Sequence, residues 1–106
     1  MKTRRPVWLE VALNGPWSRT RQPNIPLSAD EIVEAALACA AEGASIIHFH
    51  AYDPATGRQR DDYELYAPII ERLRARADVI CYGTLPFAGS IDSARALTPE
   101  QRGIYD

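Results

Sequence analysis

The sequence holds two histidines, His48 and His50, and both stand in one short apolar run, "ASIIHFHAYDP", at 44–54. Side chains two apart in a strand share a face, with Cα atoms about 7 Å apart, so two imidazoles at this spacing can converge on one metal ion. A lone histidine in a strand is more often a core residue satisfied by hydrogen bonds. An H-x-H pair at the end of an apolar strand, with Asp53 just beyond, instead favours a metal site. Zinc is the expected ion, because neutral imidazoles suit it and a catalytic zinc keeps an open position for substrate. Two histidines do not complete such a site: a third protein ligand is expected, and no residue after His50 is an evident candidate. Asp53 reads chiefly as the start of a turn with Pro54, with orientation of a ligand histidine as the alternative.

The elements that must position this pair alternate in type. "VWLEVAL", Val7 to Leu13, reads as a strand with Val7, Leu9, Val11 and Leu13 on one face and Trp8, Glu10, Ala12 and Asn14 on the other. Asn14, at the end of that unusually polar second face, either lines a pocket or caps the loop that follows. The loop, "NGPWSRTRQPNIP", is rich in Pro, Asn and Gly, and connections of this length are usually functional or disordered. Ser28 opens a helix through a capping box with Glu31. Ile32, Ala35, Ala36, Cys39 and Ala40 form its apolar stripe and Gly43 supplies a left-handed stop, so the helix spans about Ala29 to Glu42, roughly 21 Å. A second strand, about Ser45 to His50, puts Ile46, His48 and His50 on one face and turns Ile47 and Phe49 toward the covering helices. Beyond the polar "DPATGRQRDD", a second helix is expected over Tyr63 to Ala77, with Leu65, Ile69, Ile70 and Leu73 buried and Pro68 kinking it or shifting its effective start. A third strand runs from Val79 to about Thr84, a loop begins at Leu85, and Thr98-Pro99-Glu100-Gln101 has the form of a further helix start.

Strand, helix, strand, helix, strand is the order of βαβ units on a parallel sheet, and a parallel sheet needs both faces covered. Three strands with two helices and the start of a third do that poorly. The 106 residues are therefore expected to be a single incomplete α/β domain, residues 1–106, forming the amino-terminal βαβαβ portion of a (β/α)8 TIM barrel, a fold of about 250 residues. In such a barrel the chemistry sits at the carboxyl ends of the strands, where His48 and His50 fall. Net charge is −2 with acids and bases interspersed, so nothing points to nucleic acid or an anionic membrane surface. The basic start at Lys2, Arg4 and Arg5 runs into Pro6 rather than a long apolar stretch, so no membrane partner and a cytoplasmic location are expected. Cys39 and Cys81 read as buried free thiols, and no Gly-rich phosphate loop, nucleophile elbow or zinc-finger spacing occurs.

After the capped helix "LSADEIVEAALACA", the segment "AEGASIIHFHAYDPATGR" resembles the β-keto acid cleavage enzyme family, whose first characterised activity was 3-keto-5-aminohexanoate cleavage. The similarity extends to the P-x-x-P approach to the first helix, the H-x-H-x-x-D-P stretch with a following Gly-Arg, and the Asp78-Val79-Ile80 opening of the third strand, and it covers essentially the whole chain. The resemblance implies a zinc-dependent barrel that exchanges acyl groups between a β-keto acid and acetyl-CoA, giving acetoacetate and a new acyl-CoA, and working as a homo-oligomer. It further implies that His48 and His50 are zinc ligands, that the third ligand is a glutamate from a late strand absent from this chain, and that the Thr84 hydroxyl lies near the substrate. With Asn14, Thr84 is the residue expected to take a catalytic part.

Three departures stand against the family pattern. Tyr52 replaces a common Arg, Leu85-Pro86-Phe87 replaces a Gly-Gly turn, and Asn14-Gly15-Pro16-Trp17 stands where an acidic residue is often found. A different keto acid or altered chemistry is the expected consequence. Arg19 and Arg21 either hold a carboxylate or coenzyme A phosphates or are simply solvated, and Trp17 is either a lid residue or local packing. Two other readings are a metal-dependent barrel hydrolase, in which H-x-H would sit on the first strand rather than the second, and a truncated non-catalytic fragment.

Overall fold

The computed structural model describes residues 5–16 and 19–84. They form β1 (Glu10–Ala12), α1 (Ala29–Ala41), β2 (Ile46–Phe49), α2 (Tyr63–Arg76) and β3 (Ile80–Gly83). The strands are parallel and stand in the order β1-β2-β3, with Ala12 beside His48 and His48 beside Tyr82. This is the expected βαβαβ segment, consistent with an open, unclosed part of a TIM-barrel-like fold.

Each helix starts and stops for a local reason. Ser28 Oγ accepts the Glu31 amide at 3.1 Å, while the Glu31 carboxylate accepts the amides of Ser28 and Leu27 at 3.0 and 2.9 Å, so the capping box forms as the sequence predicts. At the other end Gly43 adopts φ +110°, which lets the Gly43 and Ala44 amides turn back onto the carbonyls of Ala40 and Cys39. α2 begins at Tyr63 and continues through Pro68, which brings no N–H to its ladder.

Both helices lie on one face of the sheet. Ile32, Val33 and Ala36 of α1 and Ile69 and Leu73 of α2 pack with Ile47 and Phe49 of β2 in a single core. Val33 belongs to it although the sequence stripe left it out. Cys39 and Cys81 are free and half-buried at its margin. Gly83 is required by close packing: a Cβ there would stand 2.4 Å from Cε1 of Tyr66, whose ring leans from α2 onto the end of β3 and against Phe49.

The opposite sheet face carries Glu10, Ala12, Ile46, His48, Ile80 and Tyr82, and no layer covers it among the described residues. β1 is shorter than the expected Val7 to Leu13. Its partner β2 starts at Ile46, so the ladder opens with the Ser45 and Ile46 amides on the Leu9 carbonyl and closes with the Leu13 amide on the His48 carbonyl. Among the described residues, 5–8 have no neighbouring strand, and Val7 is 82% exposed although the alternation puts it on one face with Leu9, Val11 and Leu13. The expected loop from Leu85, the helix start at Thr98 and the Trp17 reading lie outside the described residues.

Candidate functional site

His48 projects from the middle of β2 onto the uncovered face. Its ring lies 4.6 Å from that of Tyr82, tilted by 31°, and 5.2 Å from that of His50, nearly edge-on at 72°. The Nδ1 atom of His48 is buried and has no hydrogen-bond partner among the described residues. Buried polar atoms are ordinarily paired, and the chemistry of an unpaired imidazole nitrogen beside a second imidazole is compatible with a shared metal ion. Tyr82 reaches across β2 to donate its hydroxyl to the Glu10 carboxylate, a bond that raises its pKa.

His50, one residue past β2, is buried and held from two sides. On the first, the Asn14 side chain imitates a neighbouring strand: Oδ1 accepts the His50 amide at 2.7 Å and Nδ2 donates to the His50 carbonyl at 3.1 Å. Asn14 Nδ2 also donates to the Pro26 carbonyl at 2.8 Å, tying the end of the long loop to the strand ends. On the second side, the ring Nδ1 lies 3.0 Å from Gln59 Oε1. Gln59 Nε2 donates to the Asp61 carboxylate at 3.1 Å, Tyr66 donates its hydroxyl to the same carboxylate at 3.1 Å, and the Ala51 amide donates to the Tyr66 oxygen at 3.1 Å.

Burial is the main cause of a lowered His50 pKa, with the nearby His48 acting in the same direction against Gln59 and Asp61. The shift favours the neutral ring, the form that ligates metals. Burial also pushes the Tyr66 hydroxyl up to about 12, helped by the Asp61 charge and opposed by the Ala51 and Thr84 amides, so it remains a phenol and a donor.

The β2–α2 loop is what brings Gln59 back to His50. Tyr52 and Gln59 pair as an antiparallel bridge, and the turn between them is built on Asp53, whose carboxylate accepts the Ala55 amide at 2.8 Å and whose carbonyl accepts the Gly57 amide at 2.7 Å, with Gly57 at φ +68°. Asp53 also pairs with Arg60 at 2.9 Å. It is therefore a turn residue, with no hydrogen bond to either histidine among the described residues. Tyr52, in the position where the family resemblance has Arg, is buried and donates its hydroxyl to the Gly15 carbonyl, fastening the β1 loop to the β2 loop.

Thr84 follows β3 and is half-buried beside a cavity of about 330 Å³ shared with Asp61, Tyr63, Tyr66 and Ile70. Arg19 grips the Glu31 carboxylate at 2.7 and 2.8 Å at the edge of a cavity that neither histidine borders, and Arg21 lies exposed in the same loop. A cavity of about 480 Å³ opens between the start of α1 and Tyr52, Leu65 and Ile69, but neither histidine borders it. The described residues include no cluster of three His, Cys, Asp or Glu side chains placed to hold a metal.

The sequence pattern of the beta-keto acid cleavage enzymes matches residues 6–103. The chain belongs to the beta-keto acid cleavage enzyme family. Among curated relatives, the 3,5-dioxohexanoate:acetyl-CoA acetone transferase of Paraburkholderia graminis is 33% identical over 100 residues, which cover 93% of this chain and 32% of that protein. The 3-dehydrocarnitine:acetyl-CoA trimethylamine transferase of Rhizobium meliloti is 29% identical over 89 residues, 82% of this chain and 30% of that protein. The chain thus spans about a third of the length of these relatives. In this beta-keto acid cleavage enzyme segment, sequence reasoning missed Gln59, Asp61 and Tyr66. Gln59 carried one weak signal, since a turn opening at Asp53 and closing at Gly57 returns the chain antiparallel and sets residue 59 opposite residue 52. Among the described residues no helix is long and apolar enough to cross a membrane.

Proposed function

We propose that this chain is the histidine-bearing part of a zinc-dependent beta-keto acid cleavage enzyme. The reaction assigned to it joins a β-keto acid and acetyl-CoA and returns acetoacetate and the acyl-CoA of the remaining fragment. The observation that carries the proposal is the pair of imidazoles 5.2 Å apart, one with a buried, unpartnered nitrogen, in a chain of this family. Both relatives are named as transferases that use acetyl-CoA, which supports the choice of acceptor. Reliance on acetyl-CoA also fits a cytoplasmic setting.

In this reading His48 and His50 hold the ion, and the third ligand, a glutamate, comes from outside the described residues. Bound there, zinc supplies Lewis-acid polarisation of the substrate ketone. The chain's own residues do the positioning. Asn14 fixes the backbone at residue 50, Tyr82 backs the His48 ring, and burial lowers the His50 pKa. Thr84, at the carboxyl end of β3, is assigned a hydroxyl contact with substrate. Tyr52 commits its hydroxyl to Gly15, so the guanidinium contact the family commonly has at this position is replaced by a phenol turned to the backbone. The hydrolase alternative is not favoured, since the H-x-H pair lies on β2 and not on β1.

The first test is elemental analysis of the purified chain beside a His48→Ala, His50→Ala double variant, with circular dichroism confirming that each is folded. About one zinc per folded chain, lost in the variant, is expected, followed by acetoacetate formation when a β-keto acid and acetyl-CoA are supplied to the full enzyme. A folded wild-type chain that takes up no zinc overturns the claim that these residues hold the metal.

A further inference from the structure

Four hydrogen bonds behind His50 converge on Asp61. The Ala51 amide donates to the Tyr66 oxygen, Tyr66 donates its hydroxyl to Asp61, Gln59 donates its amide to Asp61, and Gln59 Oε1 faces His50 Nδ1 at 3.0 Å. The direction is set by Asp61. An ionised carboxylate only accepts, so the Gln59 side chain must turn its NH2 toward Asp61. Its oxygen then points at the imidazole, and the usual ambiguity of an amide flip is removed by charge. Tyr66 is committed the same way, because its oxygen already accepts from Ala51 and its one proton is left for Asp61.

We infer that Gln59, held by Asp61, fixes His50 as the Nδ1–H tautomer and thereby leaves the lone pair on Nε2. An acceptor 3.0 Å from Nδ1 is satisfied only by an N–H there, and a neutral imidazole has one N–H to give. Gln59 and Asp61 are accordingly positioning residues for Nε2 ligation. A ligand histidine commonly donates its second ring nitrogen to a carboxylate or carbonyl that sets its tautomer and orientation, and here an amide carries that role with a carboxylate behind it. The network closes on the backbone next to its own histidine, so the ring is held at Nδ1 and the chain at Ala51. His48 has no such partner at Nδ1, which makes the two histidines unequal.

This inference rests on the proposed metal site only for its purpose. The tautomer itself is a property of the metal-free chain. The test is long-range ¹H–¹⁵N correlation of the His50 ring in metal-free protein at alkaline pH, where the imidazole is neutral, paired with zinc titration of the same samples. The wild-type chain should show the Nδ1–H pattern. Gln59→Leu removes the acceptor and should move His50 toward the Nε2–H form, weakening zinc binding about 10- to 100-fold. The double variant Gln59→Glu, Asp61→Asn exchanges the carboxylate and the amide with little change of size, reverses the bond between them and keeps an acceptor opposite His50 Nδ1, and should restore both readouts. An Nε2–H His50 in the wild-type chain, or a tautomer unmoved by Gln59→Leu, overturns the inference. Should Gln59→Leu fail to fold, the wild-type spectrum and the double variant decide it. An Nδ1–H His50 in a chain that binds no zinc upholds the tautomer while removing the metal reading.

Discussion

Asn14 joins three backbone groups with one primary amide: it accepts from the His50 amide and donates to the carbonyls of His50 and Pro26. A buried group left without its partner costs about 1–3 kcal/mol, and Asn14→Ala strands the His50 N–H at the most exacting place in the fold. Urea unfolding should register a loss of about 1–3 kcal/mol. Asn14→Asp retains the acceptor yet sets a carboxylate against two carbonyls, so it should not recover wild-type stability. If Asn14→Asp proves as stable as the parent, the donated bonds contribute nothing. Asn14 thus has its amide committed to backbone and holds His50 in place.

At the scale of the element, the entry to α1 joins a capping box to an ion pair. Backbone bonds from Leu27, then Arg19 and Ser28, lower the Glu31 pKa from 4.5 to about 2. A depressed folded-state pKa contributes stability that is fully present above the unfolded value and is lost as pH falls through the folded one. The urea midpoint of the wild-type chain should therefore exceed that of Glu31→Gln by most above pH 4.5, with the gap closing as pH approaches about 2. A gap that does not change with pH would mean that ionisation of Glu31 is irrelevant to the cap. The pair with Arg19 is exposed and screened by salt, so most of the effect should survive added salt through the amide bonds of the cap.

For the molecule as a whole, the decisive feature is asymmetry: one sheet face lies under two helices and the other under nothing among the described residues. A parallel sheet is stable when both faces are covered, and Ile80 and Tyr82 stand 53% and 44% exposed on the open side. Apolar surface of this kind takes up apolar probes. The folded chain should enhance the fluorescence of an anilinonaphthalene sulfonate dye well above a closed globular control, and Ile80→Thr should reduce that signal without disturbing the helices. A folded chain that leaves the dye dark would show that another layer covers this face. His50 stands just past the carboxyl end of β2, and in a barrel that end of the strands is where the chemistry sits.

By itself the sequence determined the alternation of elements, the capping box at Ser28, the left-handed stop at Gly43 and the one-face placement of His48 and His50. Each of these is local, fixed by period-two or helical spacing and by the chemistry of residues within a few positions of one another. Tertiary structure decided the rest. The length of β1 depended on where β2 begins, a fact about pairing that the apolar alternation of Val7 to Leu13 did not contain. The partners of His50 were fixed by contacts between residues far apart in the chain, Asn14 across the strand ends and Gln59, Asp61 and Tyr66 through a turn and a helix face. Hydrogen-bond direction depends on which donor meets which acceptor in space, and no spacing rule carries that information before the chain has folded.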